Sequence, residues 1–334
     1  MQPKILFPGE EIPERDWDEL AGSSPTSSWF QTREAYLFFQ SISFLEAFAL
    51  GVERDGVLKG VLVGFIQKDG GKIKSFFSRR AIILGGPVLD DDISCEELTL
   101  LLDGVKRRLK GKAIYYETRN FSDYGKWRTV FERNGFSFEP HLNIQVHCED
   151  WVEVERRMGK HRRRYIRMSI REGATILENP SLDQVRQYYS LLEDLYRTKV
   201  KMPLYPWPFF EALYQLESSR FLLIEYLGSI VGGSVCVCLN GKAVYEWFAC
   251  GKDGLVKNVH PSSVTKYAGM RCAYDGQFPI FDMMGAGRPD EKYGVRDFKA
   301  EFGGELVEHG RFRYIANRLL FGIGSLAIQM MKKL

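Results

Sequence analysis

Phe221-Leu222-Leu223-Ile224-Glu225-Tyr226, then Leu227-Gly228-Ser229, then Ile230-Val231-Gly232-Gly233-Ser234-Val235-Cys236-Val237-Cys238-Leu239 reads as two apolar runs folded about a tight turn. The same device stands near 170 residues earlier, as Phe48–Val52, Arg54-Asp55-Gly56 and Lys59–Ile66. Apolar runs separated by two or three glycine-containing turn residues predict a β-hairpin, because the turn needs residues that adopt positive φ. The elements after each hairpin are repeated too. A third strand runs into glycine: Ala81–Leu84 before Gly85-Gly86-Pro87, and Ala243–Ala249 before Gly251. A helix comes next, with Ser94 as cap of Cys95–Lys110 and Pro261-Ser262-Ser263 opening Val264–Tyr274. Then come a strand (Ala113–Thr118; Pro279–Met283), a short helix stopped by glycine (Lys126–Asn134; Val295–Phe302) and a closing extended stretch (Phe136–Cys148; Glu305–Tyr314).

This pattern gives two α/β halves, each a mixed, mostly antiparallel sheet flanked by helices, joined by the helical stretches Trp151–Gly173 and Leu182–Lys199. The expected boundaries are 1–150 for the first domain and 151–334 for linker helices, second domain and a C-terminal helix. The 334 residues, 45% apolar and 27% charged, suit two soluble domains and exclude a disordered, collagen-like or coiled-coil chain. The longest uncharged stretches, Tyr226–Leu239 and Leu319–Met331, fall short of the ~20 apolar residues of a membrane span. The polar start, Met1–Glu14, does not read as a signal peptide, so the expected location is the cytoplasm. Six scattered cysteines read as reduced core residues, and neither they nor the five histidines show metal-ligand spacing.

Charge is unevenly spread. Residues 1–150 carry 19 Lys/Arg against 23 Asp/Glu, residues 151–334 carry 27 against 20, and Arg156–Arg171 alone holds eight bases and no acid. Lys160, Arg163, Arg164, Arg167 and Arg171 recur at three- and four-residue steps, so on a helix they form one stripe, suited to a polyanion or to solvent.

The element order resembles the GCN5-related N-acyltransferase (GNAT) fold, twice over. Phe281-Asp282-Met283-Met284-Gly285-Ala286-Gly287, followed by Tyr293-Gly294-Val295-Arg296-Asp297-Phe298-Lys299-Ala300-Glu301-Phe302-Gly303-Gly304, resembles the closing signature of the Fem-type (FemABX) peptidoglycan-bridge aminoacyltransferases. Arg162-Arg163-Arg164-Tyr165-Ile166-Arg167 with Glu172-Gly173-Ala174 is similar to their basic linker helix, Tyr196-Arg197 with Pro203 and Phe209-Phe210 to the helix and turn after it, and Trp29-Phe30-Gln31-Thr32 to their N-terminal opening. The likeness runs from about residue 25 to 314. It implies a tandem-GNAT enzyme that takes an aminoacyl group from aminoacyl-tRNA and places it on a peptidoglycan precursor or other amine, with no cofactor. Two departures stand out. The pyrophosphate loop of acetyl-CoA enzymes, R/Q-x-x-G-x-G/A, is replaced by Lys252-Asp253-Gly254-Leu255-Val256-Lys257-Asn258, and the family's Trp-then-Lys after the N-terminal Gln-Ser is absent after Gln31-Thr32.

Aminoacyl transfer is attack of a neutral amine on an ester carbonyl. It needs approximation, oxyanion stabilisation and a route for one proton, but no covalent nucleophile. Lys299, at the family's Phe-Lys position, is by that resemblance the candidate for holding a tRNA phosphate or the oxyanion; by spacing alone it is a surface lysine beside the Phe298/Phe302 core face. Asp282, with Glu117 in the other half, is a candidate proton acceptor at a strand end, or an ion-paired carboxylate. Arg163, Arg164, Arg167 and Arg171 are expected to guide the donor, and Arg197 and Arg288 to grip phosphate or carboxylate. Tyr245 and Trp247, with Tyr205 and Trp207, are expected either to stack on a base or sugar or to be core; Tyr293 is expected to bind substrate as part of the signature. Leu319–Met331, between Arg318 and Lys332-Lys333, is expected to lie on the inner membrane face or to dock on protein. Two rival readings remain: an acyl-CoA N-acyltransferase with a remodelled loop, and a non-catalytic binder of RNA or muropeptide.

Overall fold

The computed structural model describes residues 3–7, 12–67 and 79–331, and side chains as far as residue 324 in the last helix. The elements in chain order are β1 (Lys4–Leu6), α1 (Glu14–Ser23), α2 (Arg33–Ser41), β2 (Leu45–Arg54), β3 (Val57–Gln67), β4 (Arg80–Gly85), β5 (Val88–Leu89), α3 (Cys95–Leu109), β6 (Tyr115–Asn120), α4 (Arg128–Arg133), β7 (Ser137–Glu139) and β8 (Leu142–His147). The chain continues through α5 (Trp151–Arg157), α6 (Lys160–Arg171), β9 (Thr175–Leu177), α7 (Leu182–Leu195), α8 (Trp207–Tyr214), β10 (Ser219–Tyr226), β11 (Ser229–Leu239), β12 (Ala243–Gly251), α9 (Pro261–Asp275), β13 (Ile280–Gly285), α10 (Gly294–Ala300), β14 (Glu305–Glu308), β15 (Arg311–Ile315) and α11 (Arg318–Met331).

Local chemistry explains the repeated core. Both hairpins turn on two residues of positive φ, Asp55 at 54° with Gly56 at 78°, and Leu227 at 51° with Gly228 at 75°, the type I′ geometry that matches strand twist. The helix α3 starts on a capping box, with Ser94 Oγ accepting from Glu97 N–H at 3.2 Å and Glu97 Oε2 accepting from Ser94 N–H at 2.7 Å. The expected single helix 151–173 breaks at Met158-Gly159, where Gly159 N–H donates to the Glu301 carbonyl at 2.8 Å instead of continuing the helix. The Pro/aromatic stretch after 203 forms α8, with Pro208 in its first turn.

The closing stretches hold the main departure from the sequence pattern. Each of the two extended runs splits into two strands that join different sheets. Of 136–148, β7 lies in the first sheet and β8 in the second; of 305–314, β14 lies in the second and β15 in the first. The first sheet runs β1-β2-β3-β4-β6-β15-β7 with β5 on β3, and the second runs β14-β8-β13-β12-β11-β10-β9. The compact units are accordingly residues up to His141 together with Glu308 onward, and Leu142–Val307, rather than halves meeting at 150/151. Alternating apolar residues specify a strand and its buried face, not which sheet completes its hydrogen bonds, so the exchange has no sequence-level signal.

Each unit has its own core. In the first, the hairpin and β4 pack with α3, and Phe131 stacks on Phe312 of β15 at 4.0 Å. In the second, α9 lies against β11 and β12, and Phe281 sits so close to Gly269 that a Cβ there would be 2.3 Å from its ring. The six cysteines are free thiols.

Candidate active site in the second unit

Strands β12 and β13 run parallel for three residues, Ala243–Tyr245 beside Ile280–Asp282, and then part. Beyond Tyr245, β12 continues against β11 alone, and Trp247 is the extra residue of a β-bulge between Glu246 and Phe248. Beyond Asp282, β13 has only β8 as partner. The fork is therefore built into the backbone. In the first unit the matching parallel pair, β4 with β6, stays hydrogen-bonded for six residues up to Gly85 and Asn120.

Four charged side chains are buried around this fork: Glu246 on β12, Lys266 on α9, Asp282 on β13 and Lys299 on α10. Asp282 accepts from Gln145 Nε2 at 3.0 Å and from Met284 N–H at 2.6 Å. Burial raises its pKa to about 6, against the lowering effect of those hydrogen bonds and of Lys299. Lys299 is 8% exposed, and burial with nearby Lys266 lowers its pKa to about 8. Its ammonium donates to the carbonyls of Met283 at 2.6 Å, Gly285 at 2.8 Å and, more weakly, Met284 at 3.5 Å. These carbonyls converge because Met284 has a φ of 55°, which bends the strand end around the lysine. Lys299 is thus no surface lysine. It is a cation fixed under the strand end, where it holds the 283–285 backbone in place.

Glu246 and Lys266 form a buried ion pair that no motif in the sequence marks. The second carboxylate oxygen of Glu246, Oε1, is buried with no hydrogen-bond partner. A buried carboxylate oxygen without a partner keeps its lone pairs for a further donor. The available signal was a glutamate inside the apolar run Ala243–Ala249 together with a lysine inside α9, each unexpected on a core face.

The remaining candidates are dispersed. Tyr245 is core. Trp247 stacks on Phe248 at 5.4 Å and meets Phe209 edge-on at 5.3 Å, in an aromatic group with Tyr205, which stacks on Phe209 at 4.3 Å. Tyr293 is exposed, caps the start of α10 and lies over Gly287. Arg288 pairs with Asp290 at 3.3 Å in the loop after β13. Arg197 sits in a π-turn after α7 and pairs with Asp194 at 2.7 Å, exposed to solvent. In the basic helix α6, Arg164, Arg167 and Arg171 line an open depression with Met168, whereas Arg163 is half-buried with its Nε unpartnered. Arg162 turns inward instead, binding Glu301 at 3.0 and 3.1 Å and stacking on Phe298 at 4.5 Å.

Of the two readings of Glu117, proton acceptor or ion-paired carboxylate, the structure shows the ion-paired one. It lies buried in the first unit with Arg119 (3.1 Å), Arg311 (3.2 Å) and Arg313 on its two oxygens. Burial alone would raise its pKa, but the three guanidinium charges outweigh burial and hold it at about 2. Such a carboxylate is a poor base. The first unit's Gly85-Gly86 turn is also filled from within. Gln31 Nε2 donates to the carbonyls of Gly85 (3.2 Å) and Gly86 (3.0 Å), and a Cβ at Gly85 would meet Ser28 Oγ at 2.6 Å. Gln31-Thr32 is therefore a structural plug and a cap, Thr32 Oγ1 accepting from Ala35 N–H at 3.2 Å.

In the second unit the N-terminus of α9 is likewise occupied: Asp253 Oδ1 accepts from Ser262 N–H at 3.0 Å, and Pro261 supplies no donor. A diphosphate at this position would meet the carboxylate of Asp253, so the residues present do not fit the pyrophosphate of an acyl-CoA. Among the described residues no group of His, Cys, Asp and Glu is placed to hold a metal ion, and no helix is long and apolar enough to cross a membrane.

No family model matches the sequence, and no curated protein does. Solved structures do match in fold over nearly the whole chain. FemX superposes with a TM-score of 0.73 at 15% identity, covering 97% of this chain and 99% of that one. A tandem GNAT protein from the clavulanic acid biosynthesis pathway gives 0.61 at 9% identity, covering 95% and 99%. L-PGS from Bacillus licheniformis gives 0.59 at 14% identity, covering 96% and 98%. At these identities the likeness is one of fold: the chain has the tandem-GNAT fold.

Proposed function

We propose that the protein is an aminoacyltransferase of the Fem type, which moves an aminoacyl group from aminoacyl-tRNA to an amine of a cell-wall precursor, with the chemistry in the second unit. The observation that carries this is the strand fork with Asp282, Glu246, Lys266 and Lys299 buried around it, Asp282 and Lys299 belonging to the 281–304 segment that resembles the Fem-type signature. The amine nitrogen attacks the ester carbonyl, a C–N bond forms, the C–O bond to the tRNA ribose breaks, and the amine proton passes to the released hydroxyl. Glu246 Oε1 is the open acceptor for that proton. Lys299 acts through its charge and by holding the 283–285 backbone, which makes it a positioning residue for the fork. Arg164, Arg167 and Arg171 supply the cationic face for the donor nucleic acid. A lipid-linked acceptor lies at the inner membrane face, and for that acceptor α11 is the proposed contact. Lys332 and Lys333, expected to flank that contact, lie outside the described residues.

The blocked helix N-terminus at Asp253 favours a donor without coenzyme A, so no cofactor is assigned. The test is transfer of a radiolabelled aminoacyl group from charged tRNA to UDP- or lipid-linked muropeptide. Wild type should form amide product. Lys299→Ala and Glu246→Gln should lose turnover about 100-fold or more, the usual scale for a general base or charge stabiliser. Arg164→Glu/Arg167→Glu should raise KM for tRNA with little change in kcat. Turnover with acetyl-CoA and none with charged tRNA would replace this reading by an ordinary N-acyltransferase.

A further inference from the structure

The first unit contains a cavity of about 380 Å³ that plays no part in the transfer chemistry. It opens at the end of β4 and β6 away from Gly85-Gly86. Its charged lining is Arg79, Lys106, Arg107 and Lys110, with no acidic residue, and Tyr116 and Tyr314 stack beneath it at 5.3 Å. Lys106 is fixed by Asp103 at 2.6 Å and by the Asn134 carbonyl at 3.1 Å. Arg107 and Lys110 are exposed and make no ion pair among the described residues. Burial pushes the Tyr116 phenol up to about 12, so it stays protonated. Arg107 and Lys110, two lining cations without a counter-charge among the described residues, leave a positive potential at the pit that an oxyanion relieves.

The rim shows what kind of oxyanion. Asn317 and Leu320 line the cavity where α11 begins. On that helix Leu319 is 81% exposed and Ile323 54% exposed, four residues apart and so on one outward face. Phe321 is turned inward, edge-on to Tyr115 at 5.4 Å. A cationic pit beside an outward apolar ridge matches the two contacts a protein makes with an anionic bilayer, charge to the headgroup and apolar side chains to the acyl boundary.

We propose that this cavity seats the phosphate of an anionic phospholipid while Leu319 and Ile323 enter the interface. The inference deepens the membrane contact of the proposed function and rests on it, but it uses none of the transfer residues. The experiment is co-flotation of the full chain with phosphatidylcholine vesicles, with and without phosphatidylglycerol. Wild type binds only the anionic vesicles, and less at high salt. Each cation near such a surface contributes roughly fivefold in affinity, so Arg107→Glu/Lys110→Glu weakens binding about 25-fold or more. Leu319→Ser/Ile323→Ser also weakens it, and both double variants keep the wild-type melting temperature and turnover on a soluble acceptor. Equal binding to both vesicle types, or charge-reversed protein binding as wild type does, overturns the proposal. Inorganic phosphate or glycerol 3-phosphate competing fully with vesicles overturns it in favour of a soluble phosphate ligand. An inactive protein that floats with anionic vesicles sinks only the transfer reading; an active one that ignores them sinks only this one.

Discussion

Replacing Glu117 by glutamine tests the electrostatics of the first unit. The carboxylate receives three arginines, Arg119 at 3.1 Å, Arg311 at 3.2 Å and Arg313, and joins β6 to β15, the strand contributed from the far end of the chain. Its pKa falls from the usual 4.5 to about 2. A carboxyl depressed by that much contributes about 3 kcal/mol to folding at neutral pH, at roughly 1.4 kcal/mol per unit. Because folding depresses the pKa, this contribution is fully present above the unfolded value near 4.5 and is lost as pH falls through the folded value near 2. Glu117→Gln removes it and leaves Arg311, whose pKa burial lowers to about 10, without its counter-charge. Urea denaturation at pH 7 should show the variant about 3 kcal/mol less stable, and the gap should shrink to about 1 kcal/mol at pH 3. A gap below about 0.5 kcal/mol at pH 7, or one that does not change with pH, refutes the ion cluster as the join between β6 and β15.

Leu227 is 84% exposed and holds a φ of 51°, so Leu227→Asn should stabilise the β10–β11 hairpin by about 0.5–1 kcal/mol in thermal melts, and a lower melting temperature contradicts the turn geometry. Gly269→Leu should destabilise by several kcal/mol, because even a Cβ there comes within 2.3 Å of the Phe281 ring; normal expression and melting of this variant would sink the described α9–β13 contact. The pH dependence of turnover should be bell-shaped, rising through about 6 as Asp282 ionises and falling through about 8 as Lys299 loses its proton, with the two limbs belonging to the coupled group. A flat profile from pH 5 to 9 contradicts the role of this charge cluster.

Much of this architecture was legible in the residues. The Asp55-Gly56 and Leu227-Gly228 turns, the Ser94 capping box and the glycine stops mark local events, and local events are what periodicity and turn chemistry record. The exchange of β8 and β15 between sheets was not legible, because a strand's alternation is satisfied equally well on either sheet edge. The site divides in the same way. Lys299 and Asp282 come together at the fork as neighbours within the signature segment. Glu246 and Lys266 were missed because their meaning depends on being opposite one another across strand and helix, 20 residues apart in sequence. Arg197 and Arg288 illustrate the reverse. Their expected ligand contacts are made instead by Asp194 and Asp290, acids two or three residues away that any loop arginine finds first. Arg162, in the same basic segment but outside the stripe, turns inward because Glu301 and Phe298, more than 130 residues on, hold it there.

The most direct test of the central claim is the melting temperature of the purified protein in three ligand series: acetyl-CoA and longer acyl-CoAs, deacylated and aminoacylated tRNA, and UDP- or lipid-linked muropeptides. A ligand at about 100 times its dissociation constant adds roughly 2.7 kcal/mol, a shift of several degrees in a unit of this size. The forked site with Asp253 closing the α9 N-terminus predicts shifts with tRNA and muropeptide and none with any CoA. A shift with acyl-CoA alone would contradict the aminoacyl-transfer account.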